Sequence, residues 1–336
     1  MTVDIIIPCR NEKSYIERCI KSIIDSNYPL DLINIYVCDG LSDDGTTQLI
    51  DQLSEKFKQV HLLINKQQTT PYALNLGIKA SSAKVKMILG AHAEIHPEFI
   101  KENVEVLQKD NSIGCSGGII KNIYENETSK IIGMAMSSSF GVGNAHFRTG
   151  GKEGFVDTVA FGAYKKEVFK KVGYFDQELA RNQDDEFNFR LIKNNYKIYL
   201  SKKIISSYYV RASFQKLFKQ YYQYGFWKVY VNKKHRTITT LRQLIPSLLI
   251  SSLSIGLILS FLHHFFALLV GLEIIIYLLG CCIFAFQKAR NMKQISAIIF
   301  TFFILHFGYG IGYLIGFFEF ILFRKNPMKK NQELTR

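Results

Sequence analysis

Apolar and polar positions divide the chain into two regimes. Up to about residue 240, short apolar runs alternate with stretches whose apolar positions recur every three or four residues. From residue 244 to 323 the sequence is almost uninterrupted hydrophobic. In the first regime, residues 3–8 (Val-Asp-Ile-Ile-Ile-Pro) predict a parallel strand buried on both faces. Over 14–27, Ile16, Cys19, Ile20, Ile23 and Ile24 fall at helical spacing, and Ser14 with Glu17 matches a capping box. Residues 33–38 predict a second buried strand closed by Asp39, then a Gly- and Asp-rich loop and a helix with Leu49, Ile50, Leu53 and Phe57 on one face. A third strand (60–64), a third helix (70–80) opening on Pro71, and a fourth strand (85–89) follow. Successive βα units imply a doubly wound sheet, whose ligands bind beyond the carboxyl ends of the strands. The loops after Pro8, Cys38 and Leu89 are therefore the expected site walls. Further on, residues 184–194 predict a helix burying Phe187, Leu191 and Phe189, with Asp184, Asp185 and Glu186 in its first turn. Acids there suit the positive end of the helix macrodipole, so capping alone is one reading and proton abstraction the other.

In the second regime, 244–262 and 265–286 each suffice to span a membrane and predict a hairpin turning at His263 and His264. Glu273 inside the second span is costly in lipid unless paired. The last run, 295–323, spans once; a re-entrant or interfacial course around Gly308, Gly310 and Gly312 is the alternative. Three spans would put Arg324, Lys325, Lys329 and Lys330 outside, against the positive-inside tendency. Just before this regime, Phe214, Leu217, Phe218, Tyr221, Tyr222, Phe226 and Trp227 give 214–230 an apolar side, which predicts an interfacial amphipathic helix. The expected organisation is a catalytic domain over 1–210, a basic aromatic linker over 211–242, a transmembrane region over 243–323 and a basic tail over 324–336.

The formal charge of +14 changes the picture only through its location. Residues 211–242 hold eight Lys or Arg and no Asp or Glu, a block that attracts anionic membrane lipids. No nucleic-acid-binding motif accompanies the basic residues, so nucleic acid is not an expected partner. Six cysteines without Cys-x-x-Cys spacing read as buried thiols of a reducing compartment. With no basic n-region or cleavage site ahead of residue 3, the polar regime is expected in the cytoplasm.

The candidate chemistry sits in the loops. That after Cys38 has neither the Gly-Lys-Ser/Thr of a phosphate cradle nor Gly-x-Gly-x-x-Gly, which removes support for ATPase and dehydrogenase readings. Asp39 at a strand end suits a contact to base or ribose, with helix capping falling to Ser42 or Asp43. Four segments in order, 6–12 (Ile-Ile-Pro-Cys-Arg-Asn-Glu), 38–46 (Cys-Asp-Gly-Leu-Ser-Asp-Asp-Gly-Thr), 73–78 (Ala-Leu-Asn-Leu-Gly-Ile) and the acids near Asp184, resemble family 2 glycosyltransferases. These are inverting enzymes with the GT-A fold, and the resemblance covers roughly residues 3–230. Residues 157–190 and 220–227 more narrowly resemble the membrane-attached branch that builds bacterial exopolysaccharides of the succinoglycan type.

What the resemblance implies is an α/β fold, a Rossmann-like doubly wound mixed sheet of GT-A type followed by an α-helical membrane region. It implies a nucleotide-diphosphate sugar donor, a divalent metal and displacement at the anomeric carbon by an acceptor hydroxyl, here on a lipid-linked saccharide. Counting back from Arg190 puts Gln183 on the family's Glu and Asp184 on its Asp, which makes Asp184 the expected general base and Asp185 the alternate. Pro8, Asn11, Glu12 and Asp39 resemble the nucleotide contacts. The family's Asp-x-Asp reads Gly90-Ala91-His92 in this chain, so an acid that contacts the donor is replaced by Gly90 and the metal position by His92, with Glu94 in reserve. Imidazole favours Mn2+ over Mg2+ as the metal. Gln223 to Trp227 resembles the Gln-x-x-Arg-Trp acceptor motif with Phe226 at the Arg position; lipid anchoring is the main expectation for Trp227 and acceptor contact the second. The expected protein is a multi-pass membrane enzyme with a cytoplasmic catalytic domain, acting beside polysaccharide-assembly proteins. The rival reading is a degenerate nucleotide-sugar-binding or synthase-partner protein without turnover, motivated by Gly90.

Overall fold

The computed structural model describes residues 1–327, so the predicted charges at Lys329 and Lys330 lie outside the described residues. The chain divides into two compact units, Met1–Ile123 with His146–Tyr209, and Tyr124–Ala145 with Val210–Arg336.

The first unit is built on a mixed nine-stranded sheet. Strand β1 (Val3–Cys9) is followed by helix α1 (Ile16–Ile24), β2 (Ile33–Asp39), α2 (Thr46–Lys56), β3 (Val60–Ile64), α3 (Thr70–Ala80) and β4 (Val85–Ile88). Then come β5 (Ala93–Ile95), α4 (Phe99–Lys109) and β6 (Ile113–Ile123). Parallel pairing sets Val3 opposite both Ile33 and Val85, so β1, β2 and β4 start level and their carboxyl ends share one edge. Val3, Ile5, Ile6 and Ile7 are buried on both faces of β1, which is why that strand reads as an unbroken apolar run. Pro8 lies inside β1, opposite Cys38, within the strand predicted over residues 3–8.

Between the units' segments lie α5 (Glu127–Met136) and α6 (Ser139–Val142), which belong to the second unit; α7 (His146–Thr149), β7 (Gly154–Val156), β8 (Ala160–Lys165), α8 (Lys166–Val172), α9 (Gln183–Lys193) and β9 (Lys197–Tyr209) return to the first. Strand β8 runs antiparallel between β4 and β6, and β9 pairs with β6, β5 and β7. The predicted capping box at Ser14 is absent. The N-cap is Tyr15, without a side-chain bond; the Glu12 carbonyl accepts from Tyr15 and Ile16 N–H at 2.9 Å, and Glu17 turns to Lys21 at 2.7 Å. A carboxylate with a lysine one turn ahead has less reason to reach back to the N-cap.

In the second unit, α10 (Phe214–His235) precedes α11 (Ile245–Ser260), α12 (His264–Lys288) and α13 (Met292–Gly316), which runs on through π-helical turns over Phe317–Leu322. Among the described residues three helices, Leu241–Ser260, His264–Lys288 and Met292–Leu322, are long and apolar enough to cross a membrane. The ring of His263 caps α12, accepting from Phe265 N–H at 3.1 Å, and Ser252 Oγ on α11 donates to Glu273 at 2.5 Å. Glu273 is thus partnered, the condition under which a carboxylate is tolerated in a span.

Two expectations change here. Helix α13 is continuous through Gly308, Gly310 and Gly312, without a re-entrant break. Gly308, Gly312 and Gly316 instead recur every four residues along one stripe, where an added Cβ would strike Phe218, Tyr222 and Phe226 of α10 respectively. Small residues at that spacing let two helix backbones approach closely. The aromatic side of α10 is accordingly covered by protein: Phe226 and Trp227 are buried, and the Trp227 ring packs on Tyr230 and Phe320. The Trp227 ring is therefore covered by protein, and Gln223 is buried on the same helix.

Candidate functional site

The site is assembled from the loops at the carboxyl ends of β1, β2 and β4. Asn11 adopts a left-handed backbone (φ 56°), a conformation its short polar side chain tolerates. Its N–H donates to Ser42 Oγ at 2.8 Å, and its Oδ1 accepts from Asp43 N–H at 3.0 Å. The next two N–H groups continue the stitching, Glu12 to Thr46 Oγ1 at 2.9 Å and Lys13 to Asp44 Oδ2 at 3.2 Å. The loop after β1 is thus bonded rung by rung to the loop after β2. Asp39 holds that second loop from behind: fully buried, it accepts from Ser42 Oγ (2.5 Å), Ser42 N–H (3.1 Å) and Thr47 Oγ1 (2.9 Å). The helix capping expected of Ser42 or Asp43 is not made by either: the N-cap of α2 is Gly45, without a side-chain bond, and Asp44 accepts from the Thr46 N–H and hydroxyl. Burial alone would raise the Asp44 carboxyl, but hydrogen bonds from Thr46 and Lys13 outweigh it and hold it below its usual value.

The turn between β4 and β5 carries Gly90 and His92. His92 Nδ1 lies 3.6 Å from Glu12 Oε1, and the ring packs edge-on against Tyr208, centroids 5.0 Å apart. A Cβ at Gly90 would come within 3.2 Å of the Phe161 ring and 3.4 Å of His92 Cε1, so aromatic carbon occupies the room a longer side chain would need. Glu94, the reserve ligand, accepts a hydrogen bond from the Tyr209 hydroxyl, and that hydroxyl accepts from Arg18 at 2.9 Å. This carboxylate is engaged with Tyr209, away from the role held in reserve for it.

Helix α9 begins after Asn182, which is left-handed at φ 61°. Its three first-turn acids are sorted by the side they face. Glu186 points inward to Arg190 in a bidentate pair at 2.6 and 2.8 Å, and Arg190 also donates to the carbonyls of Val172 and Tyr174, both at 2.7 Å. Asp184 is exposed and Asp185 half-exposed. Below them Asn188 accepts from the buried Tyr164 hydroxyl at 3.3 Å and donates to Thr158 Oγ1 at 3.1 Å. Burial, then the neighbouring Cys115 and Asp184, push the Tyr164 hydroxyl well above its usual value, so it stays a neutral donor. Gln183 Oε1, at the position of the family's Glu, is buried without a hydrogen-bond partner among the described residues. The strand β8 region touches both groups, Phe161 at Gly90 and Thr158 at Asn188, and so carries α9 to the β4–β5 turn.

Residues 4–173 match the family model for glycosyl transferase family 2. The chain belongs to that family. It is 35% identical over 231 residues to the dolichyl N-acetyl-alpha-D-glucosaminyl phosphate 3-beta-D-2,3-diacetamido-2,3-dideoxy-beta-D-glucuronosyltransferase of Methanococcus voltae, covering 66% of this chain and 71% of the relative. It is 28% identical over 272 residues to the succinoglycan biosynthesis protein ExoA of Rhizobium meliloti, covering 80% and 81%. Among solved structures, the mannosyltransferase PcManGT from Pyrobaculum calidifontis in complex with GDP-Man and Mn2+ aligns over 93% of this chain and 86% of its own, at TM-score 0.61 and 14% identity. S. aureus TarS 1–349 in complex with UDP-GlcNAc aligns over 63% of this chain at TM-score 0.52 and 16% identity; the family 2 chain spans 60% of that structure's length, and both likenesses concern the fold. This family 2 glycosyltransferase has a GT-A-type mixed sheet and is a transferase.

For a family 2 site, the donor set tests whether a divalent cation fits. Among the described residues no three of His, Cys, Asp and Glu converge as a complete cage. His92 and Glu12 offer one imidazole nitrogen and one carboxylate oxygen beside each other. Such a pair would fit a divalent cation that takes further oxygen ligands from elsewhere. Sequence reasoning did not place Tyr208 or Phe161 in the site: they lie 116 and 71 residues from His92 and Gly90, and Phe161 entered only as part of the stretch 157–190.

Proposed function

We propose that this transferase moves a sugar, with inversion, from a nucleotide-diphosphate sugar to a lipid-linked saccharide in the assembly of a surface polysaccharide. The observation that carries the reading is the stitched pair of loops with Glu12 and His92 beside them, on the strand edge where a doubly wound sheet binds its ligand. Asn11, Glu12 and the loop that Asp39 holds in shape bind the nucleotide. Gly90 leaves donor binding to these loops, without the family's acid at that position. A divalent cation shared by His92, Glu12 and the diphosphate would supply neutralisation of the leaving charge.

Asp184, at the positive end of α9, is the general base. Its place in the first turn of α9 suits a carboxylate that accepts the acceptor hydroxyl's proton. The hydroxyl oxygen then bonds to the anomeric carbon as the bond from that carbon to the phosphate oxygen breaks, and the nucleoside diphosphate leaves. Asp185 is the alternate base. An acceptor tied to membrane lipid gives the three apolar helices a purpose. Free thiols at all six cysteines and the basic block over 211–242 support a cytoplasmic site at an anionic leaflet, with the helices crossing as a multi-pass anchor. Gln223 and Trp227, buried in α10, support that anchor rather than touching the acceptor.

The test is nucleotide release by full-length protein in lipid with Mn2+, a panel of nucleotide-diphosphate sugars and lipid-linked acceptors. Release with one donor, dependent on an acceptor, supports the reading. Nucleotide binding without release across the panel favours the binding-only alternative that Gly90 motivates.

A further inference from the structure

Arg148 lies in α7, in a segment without a recognisable motif. Its guanidinium carbon stands 5.5 Å from the centre of the Tyr208 ring, the same ring that packs against His92. It also lies 5.4 Å from the ring of Phe147. Among the described residues the guanidinium has neither a hydrogen bond nor a carboxylate within ion-pair distance. An arginine held by aromatic rings through cation–π contact keeps its N–H donors, which face no carbonyl or carboxylate among the described residues, for a planar or bidentate anion.

The nearby carboxylates do not supply that anion. Glu94 is occupied by Tyr209, Glu12 faces His92, and position 90 has no side chain. The cation therefore stands beside the proposed phosphate site without a counter-charge. We infer that Arg148, positioned by Tyr208, binds the diphosphate of the nucleotide-sugar donor and offsets the charge that grows on it as the sugar leaves. This rests on the donor reading above. It gives the site a fixed cation beside a metal position with few protein ligands, and charge-assisted bidentate bonds are the form in which arginine holds phosphate.

The experiment measures equilibrium binding of the nucleoside diphosphate that wild type prefers, and of its parent nucleoside, to the full chain in lipid with Mn2+. Arg148→Ala should weaken the diphosphate about tenfold or more, the usual size of a lost charge-assisted contact, and leave nucleoside affinity within about twofold. Arg148→Lys should recover part of the loss, and Tyr208→Leu, which removes the platform, should fall between. The salt dependence of diphosphate binding should flatten in Arg148→Ala, because one screened charge contact is gone. Unchanged diphosphate affinity in Arg148→Ala overturns the inference, and a raised acceptor KM beside it would assign the residue to an acceptor phosphate. Equal losses for nucleoside and diphosphate also overturn it, as a structural role. A wild type that binds no nucleoside diphosphate removes the donor reading and this inference together.

Discussion

Glu186 and Asp184 lie two residues apart in one helical turn; Glu186 is paired with Arg190, whereas the exposed Asp184 is the residue proposed as the base. The perturbation that separates them is Glu186→Gln. The Glu186 side chain is 2% exposed and Arg190 21%, with two short bonds between them. Removing one partner of a buried pair costs about 3–5 kcal/mol. Arg190 keeps its bonds to the Val172 and Tyr174 carbonyls and some solvent, and Gln can retain one bond, so the expected cost is nearer about 2–3 kcal/mol. For a unit of this size, that lowers the melting temperature by roughly 4–12 °C. Thermal unfolding in lipid or detergent reads it, with Arg190→Met and the double variant closing a cycle whose coupling measures the pair. Below its melting temperature Glu186→Gln should bind nucleotide and transfer sugar at close to the wild-type rate per folded molecule. An unchanged melting temperature with transfer abolished would refute the assignment and make Glu186 the reacting carboxylate.

Two further predictions follow from the packing. Lys86 is buried, donating to the carbonyls of Ile78 (3.2 Å) and Ser81 (2.7 Å); burial lowers it, partly countered by Asp4 and reinforced by Lys166, to about 8 from its usual 10.5. The folded state thus releases its proton before the unfolded state does, so the penalty is complete below pH 8 and relaxes as pH rises to 10.5, a gain of about 3 kcal/mol. Unfolding of Lys86→Met should lack that rise, and parallel profiles would contradict it. At the α10–α13 seam, Gly312→Leu drives a side chain into the Tyr222 backbone, and should cost at least about 1–3 kcal/mol of stability. Limited proteolysis of the second unit should quicken while nucleotide binding persists; an unchanged digestion pattern would show that the glycine stripe does not set the helix approach.

What the sequence disclosed depended on range. Strands β1 to β4 were legible because parallel strands buried on both faces read as short apolar runs, and the loops because their residue types repeat a family pattern. The paired loops after β1 and β2 were placed correctly as neighbours, but the division of labour between Asp39 and Ser42 depends on which groups a backbone turn leaves to be bonded, here Ser42 N–H and Thr47 Oγ1. Periodicity gave α10 an apolar face without saying what covers it. Lipid and a glycine stripe on another helix produce the same pattern, and only the stripe at Gly308, Gly312 and Gly316 decides. Residues 124–145 carry no composition shift that would separate them from the sheet, although Phe140 packs among Tyr277, Phe284, Phe302 and His306 of the second unit. The engagement of Glu94 with Tyr209, 115 residues away, was equally invisible, because the chemistry of a carboxylate is set by a partner no local window contains.

The most direct test of the account is Asp184→Asn measured twice on the same preparation in lipid with Mn2+, once for nucleotide binding and once for sugar transfer with the preferred donor, with Asp185→Asn alongside. The account predicts that Asp184→Asn binds nucleotide within about twofold of wild type while transfer falls by the roughly 100- to 10,000-fold that a general base contributes. Transfer surviving in Asp184→Asn at close to the wild-type rate would contradict it, and loss in Asp185→Asn alone would move the base by one residue.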